Sequence, residues 1–311
     1  MRVLLAGASG AIGRYLIPQL IAAGHEVTGT TRKRGALEFT GATELVTDVV
    51  DRQAFLELVD GLEFDAVIHA LSSLARTPLT YVDMRETNRL RSEGTSTLLA
   101  AARRTGAKKF VFSSHVYGYG FRDHGSRILD EESPFGQLPG TRLDAVQKSL
   151  LSGEQQARAF GGVVLRYGML YRGRGPIRGI VRDWDGVLPF VHFDDAAAAT
   201  VLALETGKPG GVYNIVDDHP VSWAELQRAR ADTFNRAEPS SQSSWFTHIA
   251  APFAAQLTAE TAMKVSNARA KAELGWKPLY PSYLDALRAD KELVDHARAV
   301  VSGTASVLRS T

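Results

Sequence analysis

Short apolar runs alternate with amphipathic stretches through the first two thirds of the chain, and this alternation predicts the architecture before any motif is considered. Arg2-Val3-Leu4-Leu5-Ala6 reads as a short buried strand, and helical periodicity from Gly13 to Ala23 stops at Gly24. Glu26 to Thr30 and Glu44 to Val46 read as two further strands, Asp51 to Val59 as a helix, and Ala66 to Ala70 as a fourth strand. A long helix follows over Leu90 to Thr105, then a strand at Lys109 to Ser113, a helix at Leu143 to Phe160 and a strand at Gly162 to Tyr167. Continuously apolar strands separated by helices imply a parallel sheet covered on both faces. The prediction is an α/β, Rossmann-like doubly wound parallel sheet.

From Gly173 the texture changes. Gly, Pro and Arg dominate up to Gly179, after which strand-like stretches at Gly186–Phe193 and Gly211–Val216 flank a helix at Asp194–Glu205. Ser222 to Phe234 reads as a helix, Glu238 to Ser244 as a loop or lid, and residues 302–311 as a frayed tail. The predicted division is a dinucleotide-binding domain over 1–172, with 187–216 returning to it. A smaller C-terminal substrate domain takes 217–311.

Composition narrows the function classes. The chain has 311 residues, 44% apolar and 23% charged, with 36 basic against 34 acidic residues. A net charge of +2 gives no field that would gather nucleic acid or an anionic membrane. The absence of cysteine removes disulfides, thiol catalysis and thiolate metal sites, and eight histidines without ligand spacing argue against any metal. No apolar run approaches the roughly 20 residues of a membrane span. Val3–Ala6 is too short for a signal-peptide core, which leads to the expectation of a cytoplasmic protein with a small-molecule substrate, a homodimer being left open.

The first chemistry lies at GASGAIG. Gly7, Ser9, Gly10, Ala11, Ile12 and Gly13 join the first strand to the first helix. Glycines there permit a tight turn whose N–H groups meet a pyrophosphate at the positive helix end. The cofactor is decided at the end of the second strand. A ribose 2′-hydroxyl calls for a carboxylate about 20 residues beyond the glycines. The chain instead reads Thr30-Thr31-Arg32-Lys33-Arg34, with Arg32 19 residues after Gly13. Cations suit a 2′-phosphate, so Thr31, Arg32 and Arg34 point to NADP(H).

With these motifs the chain resembles the extended short-chain dehydrogenase/reductases, the NAD-dependent epimerase/dehydratase family, over nearly its whole length. The resemblance also rests on Thr47-Asp48-Val49, His69-Ala70-Leu71, Ser113-Ser114-His115-Val116-Tyr117-Gly118, Phe190-Val191-His192-Phe193-Asp194-Asp195 and Leu274-Gly275-Trp276-Lys277-Pro278. It implies that Asp48 and Val49 hold the adenine end, and that Ala70 and Leu71 lie beside the adenosine ribose. Tyr167 and Met169 are placed along the cofactor in the same way. The family reacts through a serine with a Tyr-x-x-x-Lys. Lys148 fits the lysine, yet Asp144 stands four residues before it, and no lysine in the chain has a tyrosine at that spacing. The serine motif is one residue short, so either Ser113 or Ser114 aligns, Ser114 being preferred.

Other departures exclude much of the family's chemistry. Arg91 occupies the position of the helix-four asparagine. Arg166-Tyr167-Gly168-Met169 lacks the asparagine that contacts nucleotide sugars, and the dehydratases' Asp-Glu pair is absent from the serine loop. Among tyrosine-less members the chain is similar to ketoreductases that act on aromatic polyketides. The expected activity is therefore an NADPH-dependent ketoreductase for an apolar aromatic carbonyl compound. Ser114 and Lys148 are the expected catalytic residues, with Ser113, His115, Tyr117, Tyr119 and Asp144 facing the substrate. Met169 with Tyr117, Tyr119, Tyr167, Trp184 and Trp245 supplies the aromatic, adaptable lining expected of such a site. An epimerase or dehydratase of the family and a non-catalytic NADP-binding regulator are the alternatives.

Overall fold

The computed structural model describes residues 1–74 and 77–309. Seven strands form one sheet: β1 (Arg2–Ala6), β2 (Glu26–Thr31), β3 (Thr43–Val46), β4 (Ala66–His69), β5 (Lys109–His115), β6 (Val163–Tyr167) and β7 (Val212–Ile215). Their order across the sheet is β7-β6-β5-β4-β1-β2-β3, and every neighbouring pair is parallel. The chain winds outward in opposite directions from β1 and β4. A crevice therefore opens beyond their carboxyl ends, where open α/β sheets hold ligands.

The continuous apolar character of the strands has a direct cause. Val3 and Leu5 enter one core while Leu4 and Ala6 enter the other, because successive side chains point to opposite faces. On the first face α1 (Gly13–Ala22) contributes Leu16, Ile17 and Leu20, packed with Ala196, Ala199 and Ala203 of α6 (Phe193–Thr206). Each such large aliphatic side chain, fully buried, contributes about 1.5–3 kcal/mol. The second face is covered by α2 (Arg52–Leu58), α4 (Thr95–Arg104) and α5 (Asp144–Ala159), through Phe55, Leu98, Leu99 and Ala157.

Several elements differ from the periodicity reading. The long helix starts earlier, as a turn at Tyr81–Met84 and then α3 (Arg85–Arg89), and it passes through a π turn at Leu90–Gly94 before α4. Its charged first half, RETNR, hides the apolar stripe. Pro189 splits Gly186–Phe193 into strands Val187–Leu188 and Phe190–His192. Within the expected loop, Ser241–Gln242 pairs with Ile180–Val181. A mostly exposed strand, Asp123–Leu129, pairs with Ala262–Val265 and shows too little apolar alternation to be read from sequence. Residues 302–309, expected to fray, continue the helix Tyr283–Arg309, while 310–311 lie outside the described residues.

The second core is built from both halves of the chain. Val116, Tyr117, Tyr119, Phe121, Val146 and Leu150 join Leu226, Phe253, Leu257 and Tyr283. In the other direction Ala270, Leu274 and Trp276 return to the core of α1 and α6. A cut at 172 is thus crossed both ways, because the loops after the strands carry the second core. Among the described residues no helix is long and apolar enough to cross a membrane.

Candidate active site

The turn after β1 is shaped by contacts that exclude side chains. Gly7 has φ +92°, and a Cβ there would lie 2.4 Å from the Ala70 carbonyl oxygen. A Cβ on Gly13 would lie 2.2 Å from the Ala8 oxygen. These glycines bring the turn down onto the end of β4 and start α1 beneath it. No side chain caps α1 and no acid occupies its first turn. Ser9, Gly10 and Ala11 stay accessible while Ile12 is buried, so a positive helix end faces the crevice, and this cradle fits a pyrophosphate.

The turn after β2 is pinned and basic. Glu44 accepts N–H bonds from Gly35 (2.8 Å) and Leu37 (3.1 Å), which hold its carboxyl below the usual range. Thr31 is buried, with its hydroxyl turned onto the Lys33 backbone. Arg32 and Arg34 are exposed, and Arg32 has no hydrogen bond or ion pair among the described residues. Asp48 is exposed at the end of β3, Val49 is buried beside it, and the Thr47 N–H ties this segment to the Thr31 carbonyl at 2.8 Å. Ala70 and Leu71 close the floor at β4.

At the end of β5 strand alternation separates the two serines. Ser114 is buried and donates to Glu154 Oε1 at 2.5 Å, and Glu154 is gripped by Arg166 through Nε and Nη2 at 3.0 and 2.8 Å. Ser113, on the opposite face, has a buried hydroxyl beside the Tyr167 phenol. The Ser114 proton is thus engaged by a buried ion pair, whereas the Ser113 hydroxyl lies on the face of Tyr167. His115 stacks on Tyr117 at 4.6 Å, and Tyr117 on Phe121 at 5.1 Å. Burial, reinforced by the Arg91 charge, lowers His115 to about 3, so its imidazole is neutral. Burial pushes the unpartnered Tyr117 hydroxyl well above its ordinary value.

Helix α5 carries Asp144 and Lys148. Asp144 Oδ1 accepts the N–H groups of Gly140 (3.0 Å) and Thr141 (3.3 Å), so it shapes the turn into the helix. Lys148 is exposed, on the stripe of Ala145, Gln155 and Arg158. The buried positions are Val146, Gln147, Ser149, Leu150, Gly153, Glu154 and Ala157, centred nearly half a turn away at about 100° per residue. Of these, Gln147 reaches the loop after β5, donating to the Tyr117 carbonyl at 2.8 Å. Asp144 is half-buried in the turn it caps, and Lys148 is exposed.

Two tyrosines also have structural duties. Tyr119 donates to Asn214 Oδ1 (2.8 Å) and accepts from Arg166 Nη1 (2.9 Å), deep beneath the site. Tyr167 bonds to Thr200 Oγ1 at 2.6 Å; Thr200 gives its own proton to the Ala196 carbonyl, so Tyr167 is the donor. Neither hydroxyl is free to meet a ligand. Met169 does reach open space, because Tyr167 pairs with His115 and the chain emerges just beyond the strand ends. A cleft of about 160 Å³ lies there, lined by Met169, Tyr171, Phe193, Trp223 and, on its basic side, Arg178 and Arg230. Trp184 packs on Val181, Ala255 and Ala259, and Trp245 is exposed, so neither lines this cleft. Sequence reasoning missed Tyr171, Phe193 and Trp223; the aromatic residue after Tyr167-Gly168-Met169-Leu170 was the available signal. Among the described residues no cluster suited to a metal ion occurs.

A parallel sheet with an uncapped, glycine-lined first helix defines a dinucleotide-binding α/β protein. The profile of the NAD dependent epimerase/dehydratase family matches residues 3–171. The chain belongs to that family. It is 33% identical over 320 residues to a 3-diazoavenalumate denitrifying reductase from a Streptomyces species, covering 92% of this chain and 99% of the relative. It is 26% identical to a 2-alkyl-3-oxoalkanoate reductase from Stenotrophomonas maltophilia, covering 73% of each. Its fold is shared with a UDP-glucose 4-epimerase from Thermotoga maritima solved with UDP-glucose, with TM-score 0.75, 20% identity and coverage of 96% and 99%.

Proposed function

We propose that the protein is an NADPH-dependent reductase of a planar aromatic small molecule, and that its acceptor group takes hydride without a proton from a catalytic tyrosine. The observation that carries this reading is on α5. The stripe facing β5 and its loop presents Val146, Gln147 and Leu150, while Asp144 and Lys148 serve the surface. Bound nicotinamide supplies hydride, and the protein's work is binding, orientation and exclusion of water. Gly7 to Gly13 would hold the pyrophosphate, Arg32 and Arg34 a 2′-phosphate, and Asp48 the adenine end. Ser113 would hydrogen-bond the acceptor, and the cleft beside Met169 and Trp223 would take the ring.

Two acceptors meet the condition. A ketone with a neighbouring phenol carries its own proton, which keeps a ketoreductase of polyketide-type compounds in view. An aromatic diazonium needs none: hydride adds to the terminal nitrogen, the resulting aryl diazene loses N2, and the ring carbon keeps the hydrogen. The diazo reading is favoured by the reductase of a diazo compound that matches 92% of this chain. The test offers NADPH with an ortho-hydroxyaryl diazo compound, a polycyclic aromatic ketone and a nucleotide-linked keto-sugar. NADPH oxidation matched by N2 release or alcohol formation with either aromatic compound supports the proposal. Turnover of the keto-sugar alone would replace it with epimerase or dehydratase chemistry.

A further inference from the structure

We propose that Arg91 is an internal anion anchor that holds a carboxylate of the aromatic substrate beside the end of β5; this rests on the reductase reading above. Arg91 lies in the π turn Leu90–Gly94, an insertion that re-aims side chains and recurs at functional sites. The backbone of this turn is clamped onto α5. A Cβ on Gly153 would lie 2.8 Å from the Arg91 carbonyl oxygen, Gln156 donates to the Ser92 carbonyl at 3.2 Å, and Ser149 donates to Asn88 Oδ1 at 3.0 Å. The guanidinium is thereby set near the ends of β4 and β5, where its charge bears on both His69 and His115.

The guanidinium lacks a counterion. Nη1 is buried with no hydrogen-bond partner, and the side chain forms no ion pair among the described residues. The other deeply placed arginines are satisfied: Arg166 by Glu154, and Arg230 by the carbonyls of Arg172 (2.8 Å) and Gly173 (3.1 Å). Neither nearby histidine can compensate, since His69 is neutral and bonded to the Leu90 carbonyl at 3.0 Å, and His115 is neutral too. Burial lowers Arg91 only to about 10, so it stays cationic at neutral pH. Arg91 is half-buried with its Nη1 shielded from water; a cation held there without a partner is costly, and a planar guanidinium pairs best with a carboxylate. The missing negative charge is then one that arrives with the ligand.

The test is equilibrium titration of the protein saturated with NADP+, using 4-hydroxycinnamate and its methyl ester as probes. The wild type should bind the carboxylate at least tenfold more tightly than the ester. Arg91→Gln should bind both alike, with NADP+ affinity changed less than twofold and a melting temperature no lower than wild type. Equal binding of the two probes by the wild type, or a preference retained in Arg91→Gln, would overturn the proposal. A tenfold loss of NADP+ affinity would assign the anion to the cofactor phosphates, and a clear drop in melting temperature would assign Arg91 to the fold; either also overturns it. Binding needs no turnover, so an absence of NADPH oxidation would sink the reductase reading while leaving a carboxylate preference measurable.

Discussion

Asp217 sits buried next to β7, with no cation paired to its carboxyl among the described residues. Burial, offset in part by the His219 N–H and reinforced by Asp218 and Asp195, pushes it up to about 9. In the unfolded chain it titrates near 3.9. The folded state therefore keeps a proton that the unfolded state releases. Stability from this group is complete below the unfolded value and is lost as pH rises toward the folded one, by about 1.4 kcal/mol per pH unit. Over three units, from pH 5 to pH 8, that amounts to about 4 kcal/mol. Asp217→Asn keeps the shape and removes the titration, so the variant should gain on the wild type by that increment as pH rises. Urea unfolding of both proteins at each pH measures it. His69, His115 and His192 are lowered in the folded state and act in the opposite sense, losing stability below the unfolded histidine value, but they cancel in the difference. A difference between the two proteins that is independent of pH would refute the assignment of a buried neutral carboxyl.

Arg32→Ala should remove most of the preference for NADPH over NADH, worth about 1.5–3 kcal/mol for a charge-assisted phosphate contact, and titration of both cofactors reads it. Lys148→Ala should leave NADPH affinity and kcat/KM within twofold of wild type, since the side chain is on the solvent stripe; a tenfold loss of cofactor affinity would restore the lysine to the site. Glu154→Ala strands the Arg166 charge and the Ser114 hydroxyl, so it should cost about 3–5 kcal/mol in denaturant unfolding, whereas the double change Glu154→Leu with Arg166→Met should recover much of that.

The sheet, the glycine turn and the basic turn after β2 were legible because each depends on local pattern: continuously apolar strand runs, a strand running into glycines, and charge without an intervening acid. The serines were not, since adjacent residues on a strand face opposite ways and a motif one residue short leaves the face undetermined. The Lys148 expectation rests on a different signal. Apolar residues at 146, 150, 153 and 157 mark the buried stripe of α5 in the sequence itself, and position 148 lies off it. The match to a lysine outweighed that periodicity. The role of Arg91 depends on a π turn and on contacts with α5, distant in sequence, and no spacing rule reveals it. The second core, shared between residues 116–150 and 226–287, was hidden because exposed strands and short helices carry weak periodicity.

The central claim, hydride transfer without an enzyme proton donor, is tested most directly by the pH dependence of single-turnover NADPH oxidation with the aromatic diazo substrate. His115 is neutral down to about 3, Arg91 is charged up to about 10, and Tyr117 is raised above its ordinary value, so none of these groups changes charge near neutrality. The rate should be flat between pH 6 and pH 9, because no group placed to assist titrates there. A limb within that window that disappears in Tyr117→Phe would show a tyrosine acting as acid after all and would contradict the account.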